Sequence, residues 1–307
     1  MSSLTITEGE VDFDAPGAGK PCKTWYKIVG NLDSTSPPLI LLHGGPGAGH
    51  DYLLPLIDIH QKHGIPLIFY DQIGAGHSTR FKERMGDVEF WTFDLFVKEL
   101  DNLIDHFQLR EKGFYLLGQS WGGILACDYA SRRPKGLLKV INHSGPASIP
   151  LYVEGCKGIL AGLPPDVSKT LEDCDRRGDY ESEEFEKAQA VFYAHHMCRL
   201  DPVPDEVQAS FKNIKEDPTA YWTMQGPSEF IITGSLKEWE GWQDAQKIEV
   251  ETLVISGRYD EVTEISMEPW SKHIPKVKWV IMENSSHLAH FEERERFMRV
   301  VGEFLTD

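Results

Sequence analysis

Gly118-Gln119-Ser120-Trp121-Gly122 fits the pattern G-x-S-x-G. In that pattern a serine sits on a sharp turn from strand to helix and presents its hydroxyl at the carboxyl edge of a sheet. The bland alternative is a Gly-rich turn with an uninvolved serine. The apolar run before the motif and the helix-like stretch after it favour the nucleophile. A hydroxyl is a weak nucleophile near neutral pH, so it needs a base, and the base needs an acid to orient it. The order expected with such a turn is Ser, then Asp or Glu, then His. Asp260, in Ser256-Gly257-Arg258-Tyr259-Asp260-Glu261, and His287, in Asn284-Ser285-Ser286-His287, follow in that order, each just past a strand-like run. Glu261 is the alternative acid; Asp260 is preferred as the first carboxylate past the turn. His290 is the rival base, closer to the final helix, and His273 reads as a surface residue.

Acyl transfer develops an oxyanion that backbone N–H groups must meet. His43-Gly44-Gly45-Pro46-Gly47 follows an apolar strand and supplies one donor, Gly45 or Gly44; Trp121, after the nucleophile, supplies the other. A tight turn without a ligand is the bland reading of that loop, and His43 reads as its brace. Neither glycine cluster forms G-x-G-x-x-G leading into a helix, and no P-loop is present, which argues against phosphate binding. His195, His196 and Cys198 are the nearest approach to a zinc set, but adjacent histidines on a helix face different ways, so packing is the better reading.

These residues need a frame. Strand-like runs lie at residues 23–29, 38–42, 66–70, 114–117 and 139–143, and return at 252–256 and 278–282. Helix-like stretches lie at 92–107, where Phe93, Phe96, Leu100, Leu103, Ile104 and Phe107 share one face, at 121–132 and at 291–305. Strands alternating with helices predict a mostly parallel sheet covered on both faces. Between them the pattern turns helical and acidic, at 179–198 and 205–214. The predicted organisation is an α/β-hydrolase core of residues 1–146 and 246–307, with a helical cap of residues 147–245 over the ligand-binding edge.

Composition narrows the partners. Hydrophobic residues make up 41% of the 307, enough for a sizeable core. A net charge of −17 disfavours nucleic acid and anionic membrane surfaces. The apolar runs are strand-sized, too short to span a bilayer. The first eight residues show no basic region followed by an apolar stretch, so no secretory leader is read there. Five scattered cysteines without a C-x-x-C spacing suggest reduced thiols and a cytoplasmic setting. Oligomeric state is left open.

With the motifs assembled, the chain resembles the proline iminopeptidase (prolyl aminopeptidase) family of serine α/β-hydrolases, from about residue 23 to the end. The resemblance rests on the His43–Gly47, Gly118–Gly122 and Gly257–Glu261 blocks, on Asp71-Gln72-Ile73-Gly74-Ala75-Gly76-His77-Ser78 and Ser285-Ser286-His287, and on Gly226-Pro227-Ser228-Glu229-Phe230 in the cap. It implies a triad of Ser120, Asp260 and His287, oxyanion donors at Gly45 and Trp121, and Glu229 and Glu261 as carboxylates holding a substrate's free α-amino group. An ammonium entering an enclosed site needs paired anions to offset its desolvation. Without the resemblance, Glu229 reads as a solvated cap residue and Glu261 as a loop charge. Gly44 is placed at the substrate as well. Tyr221 and Trp222 could line an apolar pocket for a proline ring or be cap core.

The expected function is a serine aminopeptidase acting on small peptides, preferring N-terminal proline, through an acyl-enzyme. Amino-acid amidases share the motifs, so an amide substrate is the alternative, as is an esterase. A non-catalytic binding protein on the same scaffold is the alternative of another class. No metal or organic cofactor is implied.

Overall fold

The sheet is assembled from short apolar runs closed by Gly-rich turns. The computed structural model describes residues 4–307; Met1, Ser2 and Ser3, part of the stretch read for a leader, lie outside the described residues. Eight strands form one sheet: β1 (Ile6–Phe13), β2 (Cys22–Val29), β3 (Leu39–Leu42), β4 (Leu67–Tyr70), β5 (Phe114–Gln119), β6 (Leu137–His143), β7 (Glu251–Gly257) and β8 (Val277–Met282). Their order is β1-β2-β4-β3-β5-β6-β7-β8. The first two pairings, β1 with β2 and β2 with β4, are antiparallel, and every pairing from β4 to β8 is parallel.

Parallel strands are buried on both faces and so read as continuous apolar runs. β3 and β4 are fully buried along their length. Alternate side chains feed opposite layers: Ile40 and Leu42 join one apolar cluster, Leu39 and Leu41 the other. Strand β1 is not signalled by the sequence. It is an edge strand in which only Val11 and Phe13 are buried, so it lacks the apolar run that marks its neighbours. Its exposed acids also blunt an edge that another strand could otherwise extend.

Helices pack on both faces. Phe93–His106 begins after Thr92, whose side chain accepts the Leu95 N–H, and buries Leu95, Phe96, Leu100, Leu103 and Ile104. Trp121–Ser131 follows β5 directly and is buried along most of its length. No strand of the sheet lies between β6 and β7. That segment holds five α-helices: Ile149–Gly162, Pro165–Arg177, Glu183–His196, Asp205–Glu216 and Thr219–Met224. The last predicted helix is divided into Ala289–Glu292 and Arg294–Thr306. The break falls at Glu293, whose carboxylate instead accepts Asn284 N–H and Ser285 Oγ–H, each at 2.8 Å. The five cysteines are buried and free. Among the described residues, no helix is long and apolar enough to cross a membrane.

Candidate active site

Strands β3, β5, β7 and β8 run parallel, so the loops after them emerge at one edge of the sheet. Those loops carry His43–Gly45, Ser120, Asp260 and His287. Ser120 has φ 56° and ψ −123°, the strained backbone that such an elbow imposes. The glycines around it are required by space. A Cβ on Gly118 would lie 1.8 Å from the Gly122 carbonyl oxygen, and one on Gly122 would lie 2.1 Å from that of Leu42.

His287 Nδ1 donates to Asp260 Oδ1 at 2.7 Å. Asp260 is held in turn by the Ser144 hydroxyl at 2.6 Å and the Val262 N–H at 2.8 Å. Burial alone would lower the His287 pKa, but the Asp260, Glu261 and Glu229 carboxylates raise it to about 9. The loop before His287 is pinned from the following helix, where Glu292 accepts the Ser286 hydroxyl at 2.8 Å. His290 is committed elsewhere. Its Nε2 donates to the Tyr52 carbonyl at 2.9 Å, and burial pushes its pKa down to about 4. His273 is exposed at the end of its helix.

The oxyanion loop is braced from two sides. The Gly44 N–H is taken by the Tyr52 hydroxyl at 2.7 Å, which leaves Gly45 as the candidate donor of that loop. Tyr52 passes the bond on to Gln119 Oε1 at 2.7 Å, and Gln119 Nε2 donates to the His287 carbonyl at 3.2 Å. On the other side, Gln72 Nε2 donates to the His43 carbonyl at 2.9 Å and its backbone N–H to His43 Nε2 at 2.9 Å. Gln72 Oε1 accepts the Trp121 indole N–H at 2.8 Å. Gln72 thereby joins the loop to the residue after the nucleophile. Trp121 opens its helix, so its backbone N–H has no partner within the helix and sits at the positive end of the dipole. Glu99 fixes this brace from behind: its carboxyl accepts the Ile73 N–H at 2.9 Å and the Thr24 hydroxyl at 2.6 Å.

Two cavity lobes meet at Gly45, Ser120 and Glu229. The lobe on the His287 side, about 410 Å³, is walled by Ala48, Met197, Val207, Phe211, Ile214 and Leu288. The lobe on the Trp121 side, about 300 Å³, is walled by Ile124, Ile149, Tyr152, Gln225, Leu236 and Val262. No Lys or Arg lines either lobe.

Glu229 is half-buried at the junction; Tyr221 donates its hydroxyl to Glu229 Oε1 at 2.8 Å, and Gln225 Nε2 lies 3.4 Å from Oε2. Glu261 is buried, and neither of its carboxylate oxygens has a hydrogen-bond partner. Burial raises both carboxyls above their ordinary pKa. Tyr221 therefore orients Glu229, behind the lobe walls. Trp222 is a correction: it is 39% exposed and lines neither lobe, because one step along a helix turns its side chain about 100° away from Tyr221.

Tyr52, Gln72, Gln119 and Ser144 are not singled out by the sequence. Two of them, Gln72 and Gln119, lie inside motif blocks, where only their bonds reveal their use. Among the described residues, two clusters have spacing suited to a metal: His50, Asp71 and His77, and Cys174, Asp179 and Glu184. In the first, Asp71 already accepts from both imidazoles and both backbone N–H groups of the two histidines. His196 Nδ1 donates to the Tyr259 carbonyl at 2.8 Å.

Fold and site together define a serine hydrolase on the α/β-hydrolase scaffold. The family model described as alpha/beta hydrolase fold matches residues 37–294. A proline iminopeptidase of Saccharolobus solfataricus is 36% identical over 281 residues, 92% of this chain and 88% of that protein. One from Heyndrickxia coagulans is 36% identical over 268 residues, 87% and 90% of the two chains. Among solved structures, VinJ superposes with a TM-score of 0.93 at 40% identity, covering 98% of each chain. A proline iminopeptidase from Mycobacterium smegmatis gives 0.87 at 33% identity, covering 97% and 98%. The chain belongs to the proline iminopeptidase family of α/β-hydrolases.

Proposed function

We propose that this chain is a serine aminopeptidase that removes an N-terminal residue, proline by preference, through an acyl-enzyme on Ser120. The observation that carries the reading is Glu261: a buried carboxylate without a hydrogen-bond partner, close to Glu229 and 4.0 Å from His287 Nε2. An unpaired buried carboxylate is costly, and a cationic ligand offsets that cost. A prolyl ammonium has two N–H bonds, one for each carboxylate.

In this mechanism Ser120 Oγ attacks the carbonyl and His287 Nε2 takes its proton. Asp260 stabilises the resulting imidazolium, while the N–H groups of Gly45 and Trp121 hold the oxyanion. His287 then protonates the leaving amine, which must therefore depart into the lobe that His287 lines. The acyl residue, with its ammonium on Glu229 and Glu261, occupies the Trp121 side. Water, activated by the same histidine, releases the acid. The complete set of groups favours catalysis over a non-catalytic binder. Free, buried cysteines support a cytoplasmic setting.

The wall of the leaving-group lobe supports a second reading, an amino-acid amidase. Apolar side chains make up most of its wall and no Lys or Arg lines it, so apart from the base itself no cation pairs with the carboxylate of a dipeptide. A neutral amine suits that lobe better.

Turnover of prolyl 4-nitroanilide and of its N-acetyl analogue tests the amine reading. The free amine is expected to react at least a hundredfold faster by kcat/KM. Equal rates would overturn the amine site and favour a simple esterase or amidase.

A further inference from the structure

We propose that Glu261 keeps His287 protonated while the site is empty, and that the substrate's ammonium readies the base by taking over Glu261. This rests on the reading that Glu229 and Glu261 hold an ammonium. The ground is geometric. Glu261 Oε1 lies 4.0 Å from His287 Nε2, the atom that must accept the serine proton, and the two side chains are 1% and 3% exposed. Neither Glu261 oxygen makes a hydrogen bond, and among the described residues the imidazole is the basic group that faces it. His287 is thus flanked by Asp260 at Nδ1 and Glu261 across Nε2.

The other groups around the pair supply no positive charge. Glu229 faces the same space from the segment between β6 and β7. Burial drives His143 on β6, His290 after β8 and His196 on helix Glu183–His196 toward the neutral form. Burial likewise keeps Tyr152 and Tyr193 as neutral phenols. Three carboxylates without a fixed cation retain a proton. In this proposal it resides on His287, where Asp260 stabilises the imidazolium from the far side. Against burial, Asp260 gives the largest upward push on the His287 pKa, and Glu261 and then Glu229 add to it.

An imidazolium cannot accept the Ser120 proton. When the substrate enters as an ammonium, its charge replaces that of the imidazolium against Glu229 and Glu261. The His287 Nε2–H bond breaks, the proton passes to solvent, and the electron pair stays on nitrogen, free to take the serine proton. Neutral substrates then fail twice, in binding and in meeting a base that is still protonated.

Calorimetric titration of the whole chain with L-prolinol, in two pH 7 buffers of different ionisation enthalpy, counts the protons released on binding. The wild type is expected to release close to one per prolinol and Glu261→Gln close to none. Hydrolysis of 4-nitrophenyl acetate at pH 7 gives a second measure. Glu261→Gln is expected to be faster, about tenfold for each unit by which the His287 pKa falls. Prolinol bound by the wild type without proton release would overturn the proposal. So would a Glu261→Gln variant that retains its fold by circular dichroism and is no faster on the ester. Affinity, in contrast, tests the underlying reading: prolinol binding equally well to wild type and Glu261→Gln would remove the amine site itself.

Discussion

The Tyr52 hydroxyl accepts the Gly44 N–H at 2.7 Å, which leaves Gly45 as the loop's candidate oxyanion donor. Gly45 lines both lobes together with Ser120. Tyr52→Phe removes that acceptor and leaves a buried N–H unpaired, a cost of about 1–3 kcal/mol. The expected effect is a fall in kcat of about tenfold to a hundredfold with little change in KM, since the donor acts mainly in the transition state. Steady-state kinetics on prolyl 4-nitroanilide will check it; an unchanged kcat would release Tyr52 from this role.

Ser120→Ala removes the nucleophile from a turn whose backbone is fixed by its glycines and neighbours. Turnover is expected to fall by roughly 10^6, with circular dichroism unchanged. A fluorophosphonate probe should label the wild type at Ser120 and leave the variant unlabelled. Labelling of the variant at the same rate would point to another nucleophile.

Gly122 approaches the β3 strand end so closely that a methyl group has no room. Gly122→Ala places a Cβ 2.1 Å from the Leu42 carbonyl oxygen, a backbone atom that cannot swing aside. Overpacking of this kind costs about 1–3 kcal/mol or more. Thermal unfolding should show a Tm lower by several degrees. Gly158→Ala, with nothing within 4 Å of the added methyl, is the neutral control.

Glu99 makes stability depend on pH. Burial raises its pKa to about 8, against roughly 4.3 for an unperturbed glutamate. Between those values the folded chain binds a proton that the unfolded chain has lost, so its contribution to stability falls as pH rises through the window. Glu99→Gln abolishes that contribution. Urea denaturation at pH 5.5 and pH 8.5 should show a smaller stability difference in the variant than in the wild type. An identical difference would mean that Glu99 does not titrate there.

How much of this was legible depended on whether the determining contact is local. The elbow, and the order of Ser120, Asp260 and His287, are written in short motifs next to apolar runs. Strand β1 was silent because an edge strand buries too little to need an apolar pattern. The sequence does not separate Gly44 from Gly45, because the Tyr52 hydroxyl that occupies the Gly44 N–H is eight residues away and anonymous in the sequence. Tyr221 and Trp222 read alike as neighbours, and only the register of their helix separates a buried hydroxyl from an exposed indole. The break at Glu293 reflects bonds to Asn284 and Ser285 that no helical periodicity could announce.

Glu229, at the junction of the two lobes, and Glu261, 4.0 Å from His287 Nε2, come from different parts of the chain. Glu229 belongs to the long excursion between β6 and β7, and Glu261 stands beside the triad acid on the sheet's own loop. The proposed amine site is therefore written twice, once in the helical excursion and once next to Asp260. A descendant could exchange the excursion wholesale and acquire a new diet of leaving groups. It would still inherit the Glu261 half of the proposed amine site, on the loop that carries Asp260.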